Sequence, residues 1–257
     1  MRFTVATYNI HKGFAGLMKR VVMQELRDRL HGLDADLVFL QEVVGVHARN
    51  ADRYRNWPTK PQHEYLADAN WKEMAYGKNA IHRHGHHGNA LLSRYSIVAQ
   101  DNEDISAHPF ESRGILHCVV KLSKNLPDLH CMNVHLGLFE RGRQWQVRAL
   151  CERIRDTVPK DAPLVIAGDF NDWRHKANRA LVDELEVVEV FQAVTGRPAR
   201  TFPSVMPLFQ LDRIYSRGLK VVEAHVHCAF PADKISDHAA LAATFELTAR
   251  RASQAAR

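Results

Sequence analysis

Residues 163–172 read PLVIAGDFND, and the fold turns on how they are parsed. A proline opens the stretch, Leu164–Ala167 form a short apolar run, and Gly168 is followed by Asp169, Asn171 and Asp172. A run this short, bounded by Pro and Gly and rich in β-formers, reads as a buried strand whose end presents polar side chains. Gly168 allows the backbone to pass close to whatever those side chains face. The same pattern recurs along the chain. VATYNI (5–10) contains Asn9, DLVFLQE (36–42) ends on Glu42, LHCMNVHL (129–136) carries His135, and FQLDRIY (209–215) carries Asp212. Ser236-Asp237-His238 stands near the C-terminus. Strands that stop together at one sheet edge deliver their terminal side chains into one cleft. Carboxylates, amides and two histidines in a cleft describe a hard divalent cation beside acid–base groups, the equipment for hydrolysing a phosphoester.

The rest of the chain reads as strands with interspersed helices, an α/β or α+β pattern. Val22, Leu26 and Leu30 lie on one face of a helix expected over about Lys19–Leu33. Trp145, Leu150 and Ile154 stripe another, over about Arg143–Val158, and a third is expected near Lys176–Leu185. Residues 45–85 are polar, rich in aromatics and histidine, and without a clean period; one or two short helices are expected in an insertion on the substrate side. His82-Arg83-His84-Gly85-His86-His87 reads as a solvated rim loop, since no cysteine or acid completes a zinc ligand set within it.

With 257 residues and 46% hydrophobic content the chain can bury a sizeable core, and no linker or repeat divides it. One domain over 1–248 with a basic tail, 249–257, is the expected organisation. No apolar run approaches the ~20 residues needed to span a bilayer. No signal peptide is evident, and a cytoplasmic location is the simplest expectation. Cys118, Cys131, Cys151 and Cys228 read as free thiols, although a Cys118–Cys131 bridge is open if their strands form a hairpin. The net charge of +6 favours an anionic partner without naming one. Nothing in the sequence implies a protein partner.

The ordered set Asn9, Glu42, His135, Asp169-x-Asn171, Asp212 and Asp237-His238 resembles the endonuclease/exonuclease/phosphatase superfamily of DNase I-like proteins, over about Thr4 to Phe245. GNALLS (88–93), SRGIL (112–116) and TFPS followed by LDRIY extend the likeness toward a small bacterial branch. The resemblance implies a four-layer αββα sandwich, a hydrolytic activity on phosphoesters and Mg²⁺ as cofactor, with Mn²⁺ as a substitute. It implies Glu42 as principal metal ligand, with Asn9 and Asp237 contributing directly or through water. His238 would be held by Asp212, fixing its tautomer and raising its basicity. Asp169 would orient or deprotonate the attacking water, and Asn171 would hold a phosphate oxygen. His135 matches a general acid or phosphate contact. Asn89 and Arg113 are further phosphate candidates; Arg113 could equally brace its strand against an acid.

Each residue alone has a plainer reading: GDFND as a turn, Glu42 as a surface acid, an isolated Asp or His as structural. Their common order outweighs these. Calcineurin-like phosphatases are disfavoured because Asn89 is followed by Ala90 rather than His and no D-x-H motif opens the chain. A phosphodiesterase acting on DNA, RNA or a phospholipid-type diester ranks first. A phosphomonoesterase on small metabolites and a non-catalytic binding module are the alternatives. Trp57, Trp71 and Tyr76, in the insertion, are expected to help choose the substrate, against the plainer reading that they pack it onto the sheet.

Overall fold

The computed structural model describes residues 1–15, 20–228 and 235–248, so the basic tail lies outside the described residues. In chain order the first elements are β1 (Arg2–Asn9), β2 (Phe14–Ala15), β3 (Arg20–Val21), α1 (Met23–Gly32), β4 (Leu37–His47), α2 (Ala48–Arg53), α3 (Gln62–Ala67), β5 (Glu73–His82), β6 (Gly85–Ser93) and β7 (Ser96–Asp104). There follow β8 (Gly114–Lys121), β9 (Leu129–His135), α4 (Glu140–Thr157), β10 (Leu164–Asp169), α5 (Lys176–Leu185), β11 (Val188–Glu189), α6 (Val190–Thr195), β12 (Asp212–Arg217), β13 (Lys220–His227) and β14 (Ala240–Glu246).

Apart from β2 and β3, which pair with each other, the strands of the described residues form two six-stranded sheets, β13-β14-β1-β4-β6-β5 and β11-β12-β10-β9-β8-β7. Between them Phe3, Phe39, Leu91, Cys118, Val165 and Phe245 make the central core. The outer face of the first sheet is covered by Met23, Leu26 and Leu30 of α1 and Leu66 of α3, packed with Tyr8, Val38 and Leu40. Leu150 and Ile154 of α4 and Leu181 of α5 cover the second over Met132 and Ile166. The result is the αββα sandwich that the resemblance implied.

Alternation with a period of two explains the layers. In β4, Leu37 and Phe39 face the central core while Val38 and Leu40 face α1. Both faces of such a strand are buried, so it reads as one continuous apolar run. α5 spans Lys176–Leu185 as expected. α1 begins later, at Met23, because Arg20–Val21 pairs with Phe14–Ala15 and Val22 N–H is bonded to Gly13 O at 3.0 Å.

The insertion differs most from expectation. Its second half is sheet: β5 pairs antiparallel with β6 from Glu73–Ser93 to His82–Gly85. His82 to His87 therefore span a hairpin tip and the adjoining strand ends rather than a free loop. The polar residues of β5 masked the alternation, since a partly exposed edge strand lacks the apolar signature of a central one. Trp71 is fully buried, and its indole N–H donates to Ala35 O at 3.0 Å. It anchors the insertion onto the sheet and is removed from the substrate-choosing set. Cys118 and Cys131 are direct cross-strand partners and both are free thiols.

Candidate active site

The inward-facing rows change from apolar to polar at one end of the sandwich. In β1 the row Phe3–Val5 continues to Thr7 and Asn9; in β9 Leu129–Cys131 continues to Asn133 and His135; in β10 Val165–Ala167 ends on Asp169. Register aligns three of these groups in a single line, for Asp169 is the Cα partner of both His135 and Asp212. Across the gap Asn9 Nδ2 donates to Asp169 Oδ2 at 3.1 Å, joining the ends of the two sheets. Gly168 is required just before Asp169: its φ is +146°, and a Cβ there would lie 1.9 Å from Val134 O.

Ser236 fixes the last motif. Its hydroxyl donates to Asn9 O at 2.7 Å and accepts from His238 N at 3.3 Å. This brings His238 Nδ1 within 2.8 Å of Asp212 Oδ2, with Nε2 3.7 Å from Asp169 Oδ2. Burial opposes a charged ring at His238, but Asp212, Asp169 and the hydrogen bond to Asp212 outweigh it, so its pKa rises well above the ordinary imidazole range. Asp169 is pushed up by burial and by Asp212, against the pull of His238 and the donors Asn171 N–H and Asn9. His135 goes the other way: burial first, then Arg113 and His238, hold it well below the ordinary value. Arg113 lies 3.4 Å from His135 Nδ1, an acceptor in that contact, which leaves the proton on Nε2, 3.5 Å from Asp169.

Glu42 reaches the same end by a different device. β4 carries an extra residue between Leu40 and Val43, and Glu42 has φ +58°. Such a bulge re-aims one side chain out of the regular alternation. Its carboxylate meets Lys12 Nζ at 3.8 Å, and that of Asp237 meets His11 Nδ1 at 3.8 Å. Two hollows join here. A larger one of about 820 Å³ is bordered by Asp237, His11, Arg53, Tyr54, His47 and His82; a smaller one of about 380 Å³ by Glu42, Arg113, Ser112 and His108; both share Lys12 and His87.

The amides differ in what they have left to offer. Asn171, at φ +49°, donates from Nδ2 to Leu136 O at 2.9 Å, so one of its two amide hydrogens remains. Asn89 is buried, and Nδ2 donates to both Gly114 O (3.1 Å) and Asn133 O (3.3 Å). With both hydrogens committed it ties the sheets together and has no donor for phosphate, which corrects its expected role. Arg113 faces the smaller hollow, with Nε 3.9 Å from Glu111.

Several contributors were not singled out in the sequence. Lys12 and His11 follow directly on the VATYNI run, with φ values of +55° and +46° that turn them to the mouth. Asp172 accepts from the N–H groups of Lys176, Ala177 and Asn178, fixing the chain beyond Asn171. Gln41 and Asn133, bonded at 2.8 Å, bridge the sheets beneath the site. Their signal was faint because an amide among apolar residues marks no chemistry by itself.

Residues 6–238 match the model of the Endonuclease/Exonuclease/phosphatase family. The chain belongs to this family. The Escherichia coli (strain K12) protein YbhP is 44% identical over 248 residues, covering 95% of this chain and 96% of its own. Among solved structures, the endonuclease/exonuclease/phosphatase from Bacteroides vulgatus superposes with a TM-score of 0.76 at 18% identity, covering 96% of this chain and 100% of that one. The human Nocturnin catalytic domain, solved with a bound sulfate anion, gives 0.75 at 19% identity over 96% of this chain and 94% of that one. At these identities the structural likeness establishes the fold. Members of the family are phosphoester hydrolases, and this chain is an enzyme of that class. Its site includes an acidic cluster able to hold a metal ion: the ligand atoms of Asp169, Asp212 and His238 all lie within 4.8 Å of one another. Among the described residues no helix is long and apolar enough to cross a membrane.

Proposed function

We propose that the protein is a divalent-metal-dependent phosphodiesterase that cleaves a P–O bond by in-line attack of water. The observation that carries the diester reading is the meeting of two hollows at Lys12 and His87, beside Glu42 and Asp237. Phosphorus in a diester bears a substituent on either side, and a site with room in both directions suits it. A monoester would use only one. Apart from Asp237 the larger hollow is bordered by cationic, neutral polar or apolar groups, which favours an anionic substrate.

For the metal, Glu42 and Asp237 fit better than the buried cluster. Each carboxylate is only loosely paired, at 3.8 Å, and faces the mouth, and Asn9 Oδ1 adds a neutral oxygen; hard cations such as Mg²⁺ favour such a set with few carboxylates. In the buried cluster, Nδ1 of His238 is already engaged by Asp212 at 2.8 Å. A bound divalent cation would supply Lewis acidity and charge neutralisation at the phosphate. The chain's own groups do the rest. His238, charged and held by Asp212, donates to a phosphate oxygen. Asp169, with its raised pKa, orients the water and takes its proton. The remaining N–H of Asn171 and the neutral Nε2–H of His135 are donors, so His135 is read as a hydrogen-bonding group rather than an imidazolium acid.

The test compares bis-p-nitrophenyl phosphate with p-nitrophenyl phosphate, with Mg²⁺ and after chelation. Faster turnover of the diester, lost in His238→Ala, is expected. Preference for the monoester would replace this reading with a phosphomonoesterase.

A further inference from the structure

Among the described residues, the catalytic end of the sandwich carries the most exposed apolar side chains. Strand directions define that end: β9 and β10 finish there on His135 and Asp169, while β8 and β12 begin there on Gly114 and Asp212. The loops 105–113, 136–139, 170–175 and 196–211 therefore all emerge around the site, as does the β5–β6 hairpin tip. Phe110 is 97% exposed, Phe139 75%, Leu138 65% and Met206 63%. Among the described residues every exposed Phe and Leu lies in these loops, whereas exposed apolar residues elsewhere are mostly valines on strands and helices. Phe110, Leu138 and Phe139 border the smaller hollow opposite Glu42. Met206 stands two residues beyond Ser204, which is held to Asp237 O at 2.7 Å. Solvent-facing side chains this large, converging from separate loops, mark a surface that is covered in use.

Charge identifies what covers it. These loops and the hairpin tip carry no exposed acid, while Arg83, Arg174, Arg197 and Arg200 are exposed in them. Asp172 is buried, and Glu111 is engaged by Ala107 N–H and Gln146. Apolar tips interspersed with arginines match the boundary between acyl chains and anionic headgroups, where apolar burial and charge attraction act together. A nucleic-acid platform would rely on stacking aromatics along a cationic track. Leu138 and Met206 cannot stack on bases.

We propose that the mouth of this site docks on an anionic phospholipid bilayer, the loop tips entering the headgroup boundary and the arginines pairing with headgroup phosphates. The proposal rests on the phosphodiesterase reading for its purpose, which would be to present a headgroup diester to Lys12 and His238. Docking itself is read without turnover. Flotation of the full chain with phosphatidylglycerol-containing vesicles is expected to recover it, with affinity falling at least about tenfold on pure phosphatidylcholine. The triple variant Phe110→Ser, Phe139→Ser, Met206→Ser should lose at least about tenfold in vesicle binding while keeping the melting temperature of the parent. A second variant, Arg83→Gln with Arg174→Gln, should weaken binding at low salt and leave the melting temperature unchanged. Absence of vesicle binding by the parent, or unchanged binding by both variants, would overturn the proposal. So would loss of single-stranded oligonucleotide binding in the triple variant of a protein that ignores vesicles. Vesicle binding without any diesterase activity would leave the docking face standing and remove the phosphodiesterase reading instead.

Discussion

The amide of Asn9, at the end of β1, donates to the carboxylate of Asp169, at the end of β10, across the gap between the two sheets at 3.1 Å. The bond crosses 160 positions of sequence and closes the polar end of the central layer. It also holds Asp169 in place beside His135 and His238. Asn9→Ala should therefore lower turnover by at least about tenfold, through a misplaced carboxylate as well as a lost oxygen donor. Asn9→Asp would set a second acid against Asp169 and should be worse. Equal activity of either variant and the parent would remove this contact from the mechanism.

Asp212 makes a 2.8 Å bond to His238, and its other oxygen is buried without a partner. Asp212→Asn keeps the shape and removes the charge that favours the imidazolium. A drop of roughly a hundredfold or more in kcat is expected, comparable with His238→Ala, and the double variant should be little worse than either single one. Additive losses would mean that the two residues act separately.

Chelation should abolish activity, with recovery on addition of Mg²⁺ or Mn²⁺. Glu42→Gln should raise the Mn²⁺ concentration needed by at least about tenfold, and calorimetric titration of Mn²⁺ should show the same loss in binding. If instead Asp212→Asn abolished Mn²⁺ binding and Glu42→Gln left it intact, the ion would belong to the buried cluster.

Far from the site, His117 Nε2 and His130 Nδ1 lie 3.0 Å apart on neighbouring strands. Burial, then His130 and Arg153, push His117 down to about 4, and burial lowers His130 as well. The unfolded rings, titrating near the ordinary value of about 6.5, bind protons more readily than the folded ones. Stability supplied by the neutral pair is thus intact above pH ~6.5 and falls as the pH drops toward ~4. Urea midpoints measured across that window should decline, and His117→Gln should flatten part of the slope, the rest belonging to other histidines held below their ordinary value by burial, His87 and His135 among them. A slope unchanged in the variant would place its origin elsewhere.

Trp71 tests the corrected role of the insertion. Replacing this buried ring by alanine should cost about 3–5 kcal/mol of stability, seen as a lower urea midpoint. Trp57 is only partly buried, tilted against Phe14 and edge-on to His47 at 5.5 and 6.4 Å between ring centroids, and Trp57→Ala should cost less. A small, equal loss for both would contradict the burial argument.

The sequence by itself determined the strands that end on Asn9, His135 and Asp169, because an apolar run that stops at a polar group is a local signal. β4 runs on past Glu42 to His47, and a bulge rather than a strand end presents that carboxylate. The sequence also carried the ordered motif set from which the family could be recognised. Tertiary structure decided what those residues have available for chemistry. Asn89 and Asn171 are the same residue type near the same edge, yet one has both amide hydrogens committed to carbonyls on β8 and β9 and the other keeps one. His135 and His238 are both buried imidazoles, but one faces Arg113 and the other Asp212, and their pKa values move in opposite directions. Hydrogen-bond capacity and charge depend on neighbours brought in from distant strands, and register across two sheets places those neighbours.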